Sequence, residues 1–454
     1  MISIPRKEHI GWVDLLRVLA CFLVVFAHCC DPFVGQFDAD CGAFLTGAFA
    51  GSLVRCSVPL FVMMTGVLLL PVGEGMGTFY RRRIGRIVPP LVFWSLALPL
   101  LFFAYMHTFG AATQSPSVDP ASYTAQQLFT RMYTFVFNFN YDTTPLWYLY
   151  MLVGLYLVMP VLSAWMRQAS QREMQLFLAV WGVALLLPYV KMAAPLLGYA
   201  GNGGNMGLWG VCDWNDYGMF YYFSGFVGYL VLANYLVRYP LQWSWRRTLG
   251  VMVPLFVAGY LITALGFVAT QNRFPGNFAY LEIVWYFCGI NVFMMTLPVF
   301  VIVQKLAVAA RPWLARLASL TFGIYLCHFA VIPVCYDLLD CAALPDWVRL
   351  VGMSVAAFAV SVFVVWAMSR WRSLSECFSS SRLSCSSLGW LAAYRLTASA
   401  APSWSRTASV IAAQTPICSS QPGSRAQSRS SRTLPHSTLA IPSRPQSTEY
   451  CRQT

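Results

Sequence analysis

The sequence predicts an all-α fold, a polytopic membrane helix bundle of about ten transmembrane helices. Three observations predict it. Of 454 residues, 58% are hydrophobic and 16% aromatic, while only 10% are charged, against roughly 25% in a soluble domain. Mean hydropathy is +0.59. The apolar residues gather into segments of ~18–25 residues, each long enough to cross a ~30 Å hydrocarbon layer at ~1.5 Å per residue.

The segments are 11–30, 48–71, 88–107, 146–166, 175–193, 217–237, 248–270, 280–304, 318–337 and 347–368. The first follows Arg6 and Lys7 like a signal peptide, but Asp14 and Arg17 interrupt its apolar run. It reads as a start-transfer helix that stays in place. With the N-terminus inside, inner loops collect sixteen basic residues, among them Arg81, Arg82, Arg83, Arg86, Arg246 and Arg247. Outer loops hold only Arg131, Lys191, Arg273 and Arg349. The asymmetry predicts both termini inside, and it accounts for much of the formal charge of +13 without invoking nucleic acid.

Two long outer loops, 108–145 and 194–216, could line a substrate mouth or serve as plain connectors. Ten of the 14 cysteines precede residue 373, and most of those ten fall inside apolar segments and read as small hydrophobes. A disulfide among Cys41, Cys212 and Cys341 is an open option. No Cys/His spacing of a metal site is present.

Residues 373–454 differ in kind. They are rich in Ser, Arg, Pro and Thr, with Glu376 and Glu449 their only acidic residues. Such composition predicts disorder. The break after the membrane domain, 1–372, fits either a cytoplasmic tail or a reading frame that slips near residue 373. The unpatterned scatter of Trp, Cys and Ser favours the second.

Chemistry enters with the first segment. An ionisable group near the bilayer centre costs at least ~2.5–3.5 kcal/mol, so such groups are functional candidates by default. This segment holds three: Asp14, Arg17 and His28. At ~100° per residue Arg17 and His28 lie about 20° apart, and Asp14 within about 60° of both. One face of the helix must therefore look into protein or water. Asp14 and Arg17, at i and i+3, can pair. His28 could serve as a general base, since imidazole titrates near neutrality, or as a structural histidine bonded to a neighbouring helix. Arg55, in the second segment, is a further partner for that interior.

The run Tyr80-Arg81-Arg82-Arg83-Ile84-Gly85-Arg86 opens the third segment. Arg83 and Arg86 can converge, and guanidinium forks suit phosphate oxygens. A plain anchor to lipid headgroups explains the same charges. His328, in Gly323-Ile324-Tyr325-Leu326-Cys327-His328, reads as structural, and Glu282 and Asn291 are lesser intramembrane polar candidates. Residue chemistry alone says that something polar is handled inside the bundle.

Five ordered stretches carry a family resemblance. They are Trp12 to Ala20 with His28, ten residues lying between Arg17 and His28; Ser57-Val58-Pro59-Leu60-Phe61-Val62-Met63-Met64-Thr65-Gly66; Arg83-Ile84-Gly85-Arg86 followed by Pro89; Leu146-Trp147-Tyr148-Leu149 with Tyr156 and Pro160; and Phe322 to His328. From about Lys7 to Trp366 the chain resembles the membrane-bound acyltransferase family 3, which includes bacterial O-acetyltransferases that modify surface polysaccharides. The resemblance implies an acetyl-CoA-dependent O-acetyltransferase in the bacterial cytoplasmic membrane. It gives His28 and Arg17 the positions of the family's essential pair, with Asp14 beside them. Arg83 and Arg86, with neighbouring Arg82, take positions implicated in handling acyl-CoA. Arg55, Thr65, Trp147, Tyr148, Tyr325 and His328 fall in or beside motifs and are supporting candidates. Acetyl-CoA is expected as co-substrate with no bound cofactor, and the partners are a glycan or glycolipid acceptor and the bilayer. Thr65 stands where the family commonly has Ser, which keeps the hydroxyl. Pro145 stands where relatives often have His, so if that His binds substrate, acceptor choice differs here. An exporter of a glycan or lipid-linked sugar, without bond chemistry, is the alternative.

Overall fold

A computed structural model describes residues 10–135, 140–193, 223–276, 278–340 and 344–370. The described residues are helical with no strand, and nine helical segments are long and apolar enough to cross a membrane. The expected sixth span, 217–237, begins outside the described residues; its described part is a 12-residue apolar helix, Val227–Arg238. The expectations for the 373–454 tail, Cys212, Cys341 and the whole 194–216 loop also lie outside them.

Several spans are broken. The first runs α1 (Gly11–Cys29) into α2 (Asp31–Val34), with a turn at Cys30. The second is α3 (Cys41–Leu53) and α4 (Ser57–Leu69). Pro59 explains that break: it has no N–H to offer the carbonyl four residues back, on Arg55, so the ladder stops there. Long α5 (Met76–Met106) follows, starting twelve residues before the apolar run because its first turns are the basic stretch. After α6 (Ala125–Tyr133) and a 3-10 turn at Tyr141–Leu146 come α7 (Trp147–Gln168), α8 (Gln171–Ala184) and α9 (Leu187–Ala193). α10 is Val227–Arg238 and α11 is Trp245–Arg273. The next span is again broken, into α12 (Phe278–Trp285) and α13 (Ile290–Leu306). α14 (Pro312–Asp340) and α15 (Asp346–Ser369) close the described chain.

Hydrocarbon cannot satisfy freed backbone groups, so a break must be buried and bonded within the protein. The α12–α13 break is. Tyr229 donates to the Phe287 carbonyl at 2.9 Å, and the Ile290 N–H reaches the Leu185 carbonyl at 3.2 Å. The Trp285 indole N–H meets buried Ser52 Oγ at 2.9 Å.

α1 lies at the centre, packed against α4, α13, α14 and α15. α4 packs closely on α10: a Cβ added at Gly66 would sit 2.6 Å from the Leu230 carbonyl oxygen. Small residues permit such backbone approach between membrane helices. The Gly66→Ala variant is expected to lose about 1–3 kcal/mol of stability, read as a lower unfolding temperature in detergent; an unchanged temperature would contradict this packing.

Candidate functional site

The predicted residues divide between two ends of α1. Asp14 and Arg17 form a pair near its start, Oδ1 to Nη1 3.9 Å apart, with the Asp14 side chain 5% exposed. His28 lies eleven residues further, ~16 Å along the axis. Asp14 and Arg17 are therefore separate from His28, and its carboxylate partner is one the motifs do not include. Asp31 Oδ2 stands 3.0 Å from His28 Nδ1. Because the helix turns at Cys30, Asp31 opens α2 while staying three residues beyond His28. The i, i+3 spacing was the available signal.

A carboxylate accepts, so His28 Nδ1 carries the proton and Nε2 presents a lone pair. A base oriented by a third group is the arrangement of an activated acyl-transfer site. The imidazole is part-exposed, 19% for the side chain. It packs edge-on against Phe329, with centroids 5.2 Å apart, and beside His328 at 5.4 Å. His328, expected to be structural, is thus its neighbour.

Arg55 stands at the break in the second span and reaches the other break. Its guanidinium carbon lies 4.2 Å from the Trp285 ring centroid and 4.9 Å from that of Phe287. Asp31 and Glu282 are acidic residues whose charges act on it. Trp147 stacks on Phe287 with centroids 5.5 Å apart. Three helix interruptions thus gather His28, Asp31 and Arg55 with an aromatic shelf.

A polar seam joins this cluster to the basic start of α5. Tyr156 is the electrostatic neighbour of Arg83 and Arg86, whereas Arg82 turns to Glu74 at 3.5 Å. Tyr148 neighbours Tyr156 and Thr65, and its ring lies 5.5 Å from that of Tyr325. Thr65 donates to the Phe61 carbonyl at 3.0 Å. Tyr325 lies 5.8 Å from His328, ring to ring, and its hydroxyl donates to the Pro145 carbonyl. The sequence leaves these tyrosines as scattered motif members, and the contact of Tyr148 on α7 with Tyr325 on α14 brings them together. Asn291, a lesser candidate, bonds to Thr263 at 2.8 Å and to the Val284 carbonyl at 2.6 Å, away from His28.

The 3-10 turn that supplies Pro145 is fastened by an ion pair. Asp142, fully buried, meets Arg131 at 3.3 Å. Arg131 also lies 4.4 Å over the Tyr123 ring. Among the described residues no group of three or more His, Cys, Asp or Glu could hold a metal ion.

A family model described as an acyltransferase domain, family 3, matches residues 10–366. No curated protein and no solved structure matches the chain.

Removing one partner of a buried ion pair typically costs about 3–5 kcal/mol. Arg131→Ala should therefore lower the unfolding temperature markedly, and adding Asp142→Ala should recover part of the loss. A double variant no more stable than the single one would refute the role given to this pair.

Proposed function

The chain belongs to the membrane acyltransferase family 3, and from that premise we propose an O-acetyltransferase of the bacterial cytoplasmic membrane. It moves an acetyl group from cytoplasmic acetyl-CoA to a hydroxyl of a cell-surface glycan or its lipid-linked precursor. The observation that carries this reading is the His28–Asp31 contact, 3.0 Å, at the end of a seam that starts at Arg83 and Arg86.

Loop charge favours an inner location for the start of α5. There Arg83 and Arg86 bind the phosphates of the donor, and Arg82 adds to the local field. The pantetheine arm follows Tyr156, Tyr148 and Tyr325 toward His28. Asp31 holds the imidazole with its proton on Nδ1. Nε2 takes the proton of the acceptor hydroxyl as its oxygen attacks the thioester carbonyl carbon. The tetrahedral oxyanion forms near Arg55, the cation beside Asp31, and fixed positive charge at that point lowers the barrier. The C–S bond then breaks, and the imidazolium returns its proton to the leaving thiolate, giving the ester and free CoA. Arg17 and Asp14, ~16 Å away along α1, pair with each other and keep that end of the helix polar.

Membranes given labelled acetyl-CoA should transfer label to endogenous glycan or glycolipid. His28→Ala should reduce the rate about 10²–10⁴-fold, the usual worth of a general base. Transfer at full rate in His28→Ala would sink the assignment, and movement of a glycolipid across liposomes without acyl-CoA consumption would establish the exporter alternative. Asp31→Asn keeps the shape of the side chain but not its charge. Its kcat should fall by at least about tenfold, the worth of a hydrogen bond to a charged group. Arg83→Ala and Arg86→Ala should each raise the KM for acyl-CoA about tenfold or more, with kcat much less affected. An unchanged KM in both would remove the phosphate-binding role.

A further inference from the structure

The fully buried His328 poses a problem of hydrogen-bond satisfaction. Its Nδ1 lies 2.6 Å from the Tyr325 carbonyl oxygen. A carbonyl only accepts, so Nδ1 is the protonated nitrogen and Nε2 is left as a lone pair. That Nε2 is buried and has no hydrogen-bond partner. Leaving a buried polar atom unmet is unfavourable, so its presence calls for an explanation, such as use at another point of the working cycle. The neighbouring imidazole is His28, with ring centroids 5.4 Å apart and planes inclined by 40°. His28 is bound in the same sense, Nδ1 to Asp31 at 3.0 Å. In the resting state, then, the two neighbouring imidazoles both carry a lone pair at Nε2, and neither can donate to the other.

We propose that His328 is a positioning residue for the acyl transfer, its Nε2 accepting the hydrogen bond that His28 Nε2–H gives once His28 has taken the hydroxyl proton. The inference rests on the function proposed above and adds a residue to it. The proton balance is unchanged. The proton leaves the acceptor hydroxyl, resides on His28 Nε2 while shared toward His328, and passes to the thiolate. At rest the unmet lone pair of His328 carries the cost. In the intermediate it is satisfied, so the interaction is stronger in the transition state than in the ground state, which is what raises kcat. A histidine kept only for packing would need the Nδ1 bond to Tyr325 and nothing at Nε2.

Two amide substitutions separate these roles. His328→Asn keeps a donor at the Nδ1 position and loses the Nε2 acceptor; His328→Gln offers an acceptor near the Nε2 position. Label transfer from acetyl-CoA is measured with wild type, His28→Ala and both variants, each checked for folding by its unfolding temperature in detergent. The expected result is a folded His328→Asn with kcat reduced about tenfold to a hundredfold, an unchanged KM for acetyl-CoA, and recovery of most of the loss in His328→Gln. If His328→Asn fails to fold, His328→Gln against the acceptor-free His328→Met decides, with Gln expected to be the faster. Wild-type kcat in His328→Asn, or a Gln variant no better than the one without an acceptor, overturns the inference while leaving the role of His28 intact. A wild type that transfers no label, or a His28→Ala as fast as wild type, overturns the proposed function, and this inference with it.

Discussion

A hydrocarbon layer offers no hydrogen bonds, and this constraint shapes the bundle more than any other. Each place where a span stops being helical must find partners inside the protein. Here the interruptions at Cys30, at Arg55 and at residues 286–289 do so by meeting one another. The indole of Trp285 bonds Ser52, the Tyr229 hydroxyl caps the Phe287 carbonyl, and Arg55 lies against the rings of both Trp285 and Phe287. A region that must be irregular and polar is thereby also rigid. It is where His28 and Asp31 stand.

The same constraint accounts for the seam. Tyrosines combine a large apolar ring with one polar atom, so they can line a route through a membrane domain at lower cost than charges. Tyr156, Tyr148 and Tyr325, all buried, form a chain of neighbouring side chains between the basic start of α5 and the two histidines. The 3-10 turn held by Arg131 and Asp142 steadies the far end, through the bond that Tyr325 gives Pro145. The reading as an acetyl-CoA-dependent transferase assigns a use to each part of this arrangement: phosphate binding, passage, and proton transfer at a fixed base.

Much of this was legible in the chain. Span positions follow from apolar run length, which depends on bilayer thickness and on little else. The polar face of α1 follows from helical spacing, and Arg83 with Arg86 from their i, i+3 register. The breaks were harder to see. Arg55 and Trp285 sit in stretches whose average hydropathy is as high as that of an intact helix, and only Pro59 marks where one ladder stops. Asp31 was missed because it lies just past the apolar run, where an acidic residue is unexceptional. Its importance arises from the turn at Cys30. His328 reads as an ordinary buried histidine until α14 is packed on α1, since a contact three hundred residues apart in sequence leaves no local pattern.

The central claim is that donor and base meet through the interior of the bundle, from Arg83 and Arg86 to His28. A cryo-electron microscopy structure in lipid nanodiscs with a non-cleavable acetyl-CoA thioether tests it most directly. The account predicts the phosphates at Arg83 and Arg86, the pantetheine arm along Tyr156 and Tyr148, and the acyl end beside His28. A ligand whose acyl end lies outside the bundle, or whose phosphates bind elsewhere while the acyl end stays away from His28, would contradict it.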